Sequence, residues 1–194
     1  MLQNHLKKYQ IILASKSPRR SQLLKELGID FSIENKNIAE IYPPGLDNHE
    51  VALYLSQLKA DPFKQEIQNT NKLVITSDTI VCLGQEILGK PTDRDLAIAM
   101  LQKLSDQVHE VITGVTLTSA HKTKSFTVAT KVYFKALQQD EIVSYIDQYK
   151  PFDKAGGYGI QEWIGMIGIE KIEGSYFNVM GLPVQRLYTE LYHF

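Results

Sequence analysis

Short apolar runs alternate with amphipathic stretches along the whole chain. Residues 9–14 (YQIILA) form a short apolar run, the pattern of a strand buried on both faces. A polar break at 15–18 follows. From 19 to 27 the leucines Leu23, Leu24 and Leu27 fall at helical spacing, and Gly28 is a natural stop. Residues 31–34 predict a second strand and 42–45 (YPPG) a loop. Asn48 predicts the cap of a second helix, with Val51, Leu55 and Leu58 as its apolar face.

The alternation then repeats. Residues 73–77 (LVITS) predict a buried strand. Thr92 predicts the start of a helix, with Asp95 completing a capping-box-like turn and Leu96, Met100 and Leu104 forming the stripe. Two β-rich runs, 108–117 and 124–135, flank the polar turn around His121 and predict a hairpin or meander. The sheet is therefore mixed. Residues 141–149 predict a helix pairing Ile142 with Ile146, residues 153–159 a glycine-rich loop, and residues 167–172 a last strand. Pro183 opens a terminal helix. Helices alternate with strands in both halves without a linker or a repeat. The expectation is one α/β domain over 1–194, with two lobes around a central cleft where a small ligand would bind.

Composition narrows the classes. The content is 43% hydrophobic and 22% charged, an ordinary globular balance, so disorder is not expected. A formal net charge of -1 lacks the basic excess of nucleic-acid binders. The single cysteine, Cys82, lies in the apolar stretch TIVCL and reads as a small buried hydrophobe, in keeping with a reducing compartment. Residues 1–10 are polar and carry no signal-peptide core, and no apolar run approaches the ~20 residues that span a bilayer. The expectation is a cytoplasmic protein with no nucleic-acid or membrane partner; a homodimer is compatible with the sequence.

Several segments carry chemistry. Ser15-Lys16-Ser17-Pro18-Arg19-Arg20 joins a strand to a helix, where hydroxyls, backbone N–H groups and the helix dipole favour an anion. Two guanidinium forks add phosphate-matched donors. The loop is not a Walker A motif, and a capped helix start with solvated arginines is the plainer alternative. Asp78, following the LVIT strand, is expected at the strand's end. An acid there needs a cation, a metal or donors, although an Asx turn would also explain it. Lys59 near a helix end, Lys90 in the GKP turn and Glu40 each read alone as solvated surface. Three glycines in four positions within Asp153-Lys154-Ala155-Gly156-Gly157-Tyr158-Gly159-Ile160-Gln161 point to positive φ or close backbone approach.

In order, SKSPRR, the helix around Lys59, SDTIV, GKP, DKAGGYGIQ and GSYFNVMGLP resemble the Maf family of nucleoside triphosphate pyrophosphatases over about residues 11–191. DKAGGYGIQ makes the likeness strongest to the branch that acts on dTTP and UTP. The resemblance implies an elongated mixed-sheet α/β fold of the inosine triphosphate pyrophosphatase kind, and hydrolysis of dTTP and UTP, with modified pyrimidine nucleotides as further substrates to test, to the monophosphate and pyrophosphate. It implies Asp78 as catalytic acid/base and metal partner, with Glu40 as a second carboxylate for Mg²⁺ or Mn²⁺. Ser15, Arg19, Arg20, Lys59 and Lys90 become phosphate and substrate contacts, and Arg20, Thr79 and Gln161 positions tied to substrate choice.

The chain departs from the family pattern in two places. Ala39 stands where a second acid often precedes Glu40, which weakens the metal assignment. Glu162 and Trp163 follow Gln161, where a small residue is common, so an acid lies beside the expected base pocket. The rival from another class is a non-catalytic nucleotide-binding regulator of septum formation. Such a protein would need the phosphate cradle but not Asp78.

Overall fold

The structure is a computed structural model and describes residues 2–194. A short helix α1 (Leu2–Leu6) precedes β1 (Gln10–Leu13), α2 (Pro18–Glu26), β2 (Ser32–Ile33) and α3 (Asn48–Ala60). The middle contains β3 (Lys72–Leu83), β4 (Glu86–Leu88), α4 (Arg94–Leu104), β5 (Val108–Ser119) and β6 (Thr123–Phe134). The remainder is α5 (Gln139–Tyr149), α6 (Trp163–Gly168), β7 (Ile169–Glu173), α7 (Tyr176–Met180) and α8 (Val184–Tyr192). The sheet order is β2-β1-β3-β5-β6-β7, with β4 pairing on β3. β2, β1 and β3 run parallel, whereas β4 and β7 pair antiparallel, so the mixed α/β sheet expected from the sequence is present. No helix among the described residues is long and apolar enough to cross a membrane.

The chain divides into two compact units. The first contains the residues up to Asp78, Thr113–Val128 and Gly181–Phe194. The second contains Thr79–Ile112 and Ala129–Met180. In the first, Ile12 and Val74 of the parallel strands pack with Phe63 and Ile67 beyond α3. Gly114 of β5 lets α3 lie directly on the sheet: a Cβ there would stand 2.1 Å from the Ala52 carbonyl oxygen. In the second unit, Ala97, Leu101 and Leu104 of α4 share a core with Ile142, Tyr145 and Ile146 of α5.

Several local expectations are corrected. β3 does not end at Ser77 but continues through Asp78 to Leu83, because TIVCL is itself strand-like and β4 supplies a partner at Val81, Cys82 and Leu83. The cap of α3 is Asp47 rather than Asn48: its side chain takes the Glu50 N–H, and Glu50 reaches back to the Asp47 N–H, each at 2.8 Å. The cap of α4 is Asp93, not Thr92, and its buried stripe is Ala97, Leu101 and Leu104, leaving Leu96 exposed. Spacings of four and three keep a stripe over the core, whereas two successive steps of four drift around the helix. The last strand also begins later than expected, because residues 163–168 form α6 first.

Candidate active site

The segment after β1 turns sharply into α2. The Ser15 hydroxyl accepts the Ser17 N–H at 3.2 Å, and the Ser17 hydroxyl accepts the Arg20 N–H at 3.4 Å as the helix cap. Pro18 fits the first helical turn because that position needs no donor. Ser15 is buried, and Arg19 is half-buried on the first turn of α2.

Arg20 is turned inward. Its Nε donates to the Gly181 carbonyl at 2.8 Å, and one terminal nitrogen donates to the Ser77 carbonyl at 2.8 Å and to the Ser15 hydroxyl at 3.5 Å. Burial lowers the pKa of this guanidinium from its ordinary value; the negative Asp78 opposes that shift and Arg19 adds to it. The side chain stays charged, as arginine does throughout the working range of proteins. Arg20 thus joins the loop after β1, the middle of β3 and the start of the C-terminal segment.

The chemistry gathers one residue beyond Ser77. Asp78 is 8% exposed in mid-strand, and its carboxylate is ion-paired with Lys59 from the last turn of α3. The same Lys59 ammonium lies 2.8 Å from Glu40, whose side chain is 46% exposed. A desolvated acid inside a strand is tolerable because this cation neutralises it. Gly114 sets the height of α3 on the sheet, and with it the height of Lys59. The two carboxylates converge on one cation, which is also the arrangement a hard divalent ion would use. Among the described residues no group of three or more His, Cys, Asp and Glu side chains could hold a metal. A bound ion would therefore take two protein carboxylates and complete its oxygen shell from phosphate and water, as Mg²⁺ does.

Ser15, Arg20, Glu40, Lys59 and Asp78 are thus brought together in the first unit. Thr79 is the next residue of β3, so its side chain points to the other face of the sheet from Asp78. Lys90 and Gln161 belong to the second unit. Lys90 is exposed in the turn after β4, and the neighbouring Gly89 carbonyl accepts the Gly156 N–H at 3.0 Å. Gly156 and Gly157 have φ of 70° and 71°, and a Cβ on Gly156 would stand 2.9 Å from a Val81 methyl, so the glycines are required here by conformation and by packing. Gln161 is half-buried, and its Oε1 is buried without a hydrogen-bond donor in the protein. Cys82 is buried as expected, and burial pushes its thiol up to about 12, with the Glu110 charge adding to the shift.

Sequence reasoning missed Ser77 and Gly181 as carbonyl partners of Arg20, because main-chain acceptors leave no side-chain signature. It also missed Tyr145, which reads as one more apolar position between Ile142 and Ile146.

A Maf-like protein family model matches residues 10–194. A curated dTTP/UTP pyrophosphatase of Parabacteroides distasonis is 53% identical over 195 residues, covering 100% of both chains. One of the same name from Phocaeicola vulgatus is 53% identical and covers 98% of each. In fold, the chain is similar to the solved Ham1 protein of Staphylococcus aureus, with a TM-score of 0.51 at 17% identity over 94% of this chain and 97% of that one. Taken with the ordered motifs and the Lys59–Asp78–Glu40 centre, these matches along the whole length place the chain in the Maf family.

Proposed function

We propose that this chain hydrolyses dTTP and UTP to the nucleoside monophosphate and pyrophosphate. The observation that carries the reading is 53% identity, across all of both chains, to a protein named dTTP/UTP pyrophosphatase. The site supports it. Attack at the α–β linkage needs a water held in line, neutralised phosphates and a stabilised leaving group. Asp78 is the group assigned to orient the water and take its proton. Lys59, already paired with Asp78, sits where it can shift its contact to phosphate oxygen once substrate arrives. Ser15, Arg19 and the N-terminus of α2 are the assigned anion cradle, and Lys90 is assigned as a further phosphate contact. Arg20 acts by holding the Ser77 and Gly181 carbonyls, and so the strand that carries Asp78, in place.

Asp78 and Glu40 are the residues that would hold Mg²⁺ or Mn²⁺, whose bound charge would neutralise phosphate oxygens. Gln161 and Thr79 are assigned to base recognition. A cytoplasmic location follows from the substrates, which are free nucleotides. A nucleotide sensor without catalysis would need the cradle but gains nothing from a buried carboxylate held by a lysine.

The test is kcat/KM for dTTP, UTP, dCTP, dATP and dGTP with Mg²⁺ and with Mn²⁺, together with product analysis. dTTP and UTP should lead, and pyrophosphate should equal monophosphate in amount. Release of diphosphate and free phosphate instead would refute the assigned bond, and equal rates on all five would refute the assigned substrates.

A further inference from the structure

Gln161 can read a pyrimidine edge only if something holds it in place. Its Oε1 accepts no hydrogen bond from the protein, so the amide is not fixed at that atom. What is fixed is the turn that carries it. The Glu162 N–H closes the turn on the Gly159 carbonyl at 3.0 Å. The Gly159 N–H donates in turn to the Tyr145 hydroxyl at 3.0 Å, and that hydroxyl donates to the Glu162 carboxylate. One phenol oxygen therefore ties both ends of the segment that bears Gln161 at its third position. Lys154 adds a charge contact to Glu162 at 3.1 Å. Gly159 leaves no slack: a Cβ there would stand 2.8 Å from the Glu162 carboxyl carbon.

The ordinary duty of an acid at this position would be to cap a helix, since Glu162 is the N-cap residue of α6. Its side chain makes no capping hydrogen bond and reaches back to Tyr145 and Lys154 instead. Tyr145 is 0% exposed and stacks on Tyr149 with ring centroids 5.1 Å apart, so its hydroxyl is held by a packed ring on α5. Burial, reinforced by the Glu162 charge, raises its pKa far above the usual phenol range, so it stays a donor at every working pH. Glu162, the residue that departs from the family's small one, is thus spent inside the protein on holding the turn.

We infer that Tyr145 and Glu162, with Lys154 beside them, are positioning residues that lock the Gly159–Glu162 turn and so set where Gln161 meets the base. This rests on the reading of Gln161 as the base-recognition residue. The chemistry makes position decisive. Uracil and thymine present an N3–H, the donor that the Gln161 Oε1 lacks. Cytosine presents a bare N3 acceptor at the same place, and two acceptors repel. An amide free to shift or flip would lose that difference, because its NH₂ suits cytosine as well as its oxygen suits thymine. A locked turn leaves the amide its own rotation but fixes where it stands against the base, so the shift that would let the NH₂ follow a cytosine edge is removed.

The experiment measures kcat and KM for dTTP and dCTP on wild type, Gln161→Ala, Tyr145→Phe, Glu162→Ala, Glu162→Gln and Ile142→Val, with hydrogen exchange at the Gly159 amide on the same proteins. Tyr145→Phe keeps the ring and removes both hydroxyl bonds. Glu162→Gln keeps an acceptor for the hydroxyl, and Ile142→Val deletes one buried methylene from the same helix without touching the turn. Wild type should prefer dTTP by ~10²-fold or more, the scale of a site-built polar readout. Tyr145→Phe and Glu162→Ala should each reduce that ratio by ~10-fold or more, chiefly through KM for dTTP, with kcat within ~3-fold. Gly159 exchange should speed up in Tyr145→Phe, whereas Glu162→Gln and Ile142→Val should keep the ratio within ~3-fold of wild type.

A wild-type ratio in Tyr145→Phe and Glu162→Ala, alongside an eroded one in Gln161→Ala, overturns the lock and leaves the Gln161 reading standing. Equal erosion in Ile142→Val, or in Glu162→Gln, overturns it as well, the first by making the effect generic and the second by removing the Tyr145 bond as its cause. A wild type without preference overturns the Gln161 reading and the lock together. Should Tyr145→Phe fail to fold, Glu162→Ala decides alone.

Discussion

Asp78→Asn separates the chemistry of the centre from its architecture. The substitution keeps shape and hydrogen-bonding capacity but removes the charge and the basic oxygen. In the wild type the Asp78 carboxylate is 8% exposed and paired with Lys59, whose ammonium also stands 2.8 Å from Glu40. In the variant, Lys59 keeps Glu40 as its counter-ion, and the asparagine oxygen still accepts from Lys59. What is lost is the difference between a charged and a neutral acceptor, about 1 kcal/mol. For a chain of this size that lowers Tm by about 2–4 °C at most. The loss of a positioned general base is worth ~10²-fold in kcat or more, about 2.7 kcal/mol of barrier. The two readouts should therefore part: melting nearly unchanged, turnover nearly gone. Lys59→Met should lose both, since Lys59 is an assigned phosphate contact as well as the cation of Asp78. It leaves Asp78 buried without its cation and should destabilise by about 3 kcal/mol, the low end for breaking a buried pair, because the other carboxylate is solvated. The assay is pyrophosphate release from saturating dTTP with metal present, beside thermal melts of all three proteins. Near-wild-type kcat in Asp78→Asn would refute the assignment, and so would a kcat loss explained by an unfolded fraction.

Other outcomes follow from the same geometry. Arg19→Ala and Lys90→Ala should each lower kcat/KM for dTTP by ~10- to 100-fold, the scale of a charge-assisted phosphate contact, and unchanged kcat/KM across a salt titration would mark both as solvated surface. Gly114→Ala should destabilise by about 3 kcal/mol or more, since its Cβ meets the Ala52 carbonyl at 2.1 Å, and a melt within 2–3 °C of wild type, about the shift of a mild substitution, would refute the close packing of α3. His109 is buried, and burial holds its pKa down to about 4 from an ordinary 6.5. Between those values the unfolded chain takes up a proton that the folded chain refuses. Stability is therefore full above pH 6.5 and falls as pH drops towards about 4, by about 2–3 kcal/mol. Urea midpoints at pH 7.5 and 4.5 for wild type and His109→Gln check this; a drop of the same size in the variant would assign the loss to other groups.

The sequence carried the element order well because periodicity survives in short windows. Leu23 and Leu24, Val51 and Leu55, and Ile142 and Ile146 all face cores. It failed where an element's limit depends on a partner far along the chain. TIVCL is strand-like by itself, but a buried acid before it suggests a strand end, and pairing with β4 is what carries β3 through Asp78. Residues 163–168 are apolar and glycine-bearing, a composition that suits strand or helix, and tertiary packing chose the helix. At the site, residue type alone left Lys59 and Glu40 as solvated surface and Asp78 open to an Asx turn; the ordered family motifs nominated them, and the structure brings those three together. Arg20 shows the limit of that approach. A guanidinium after a strand suggests a phosphate contact; that two of its nitrogens also hold main-chain carbonyls is something no residue type announces.

The Arg20 brace also fixes when the site comes into being. Its partners lie 5, 57 and 161 residues away along the chain. The last separation means that the contact to the Gly181 carbonyl forms only once that segment has emerged and docked, and closing so long a loop comes late in folding. A nascent chain that has already made β1, α2, α3 and β3 holds Ser15, Lys59 and Asp78, yet lacks the carbonyl that completes their frame. Hydrolytic competence is thus a property of the finished molecule. The expected consequence on the ribosome is an emerging polypeptide that spares the surrounding triphosphates until its C-terminal segment ties the first turn of α2 to the centre of the sheet.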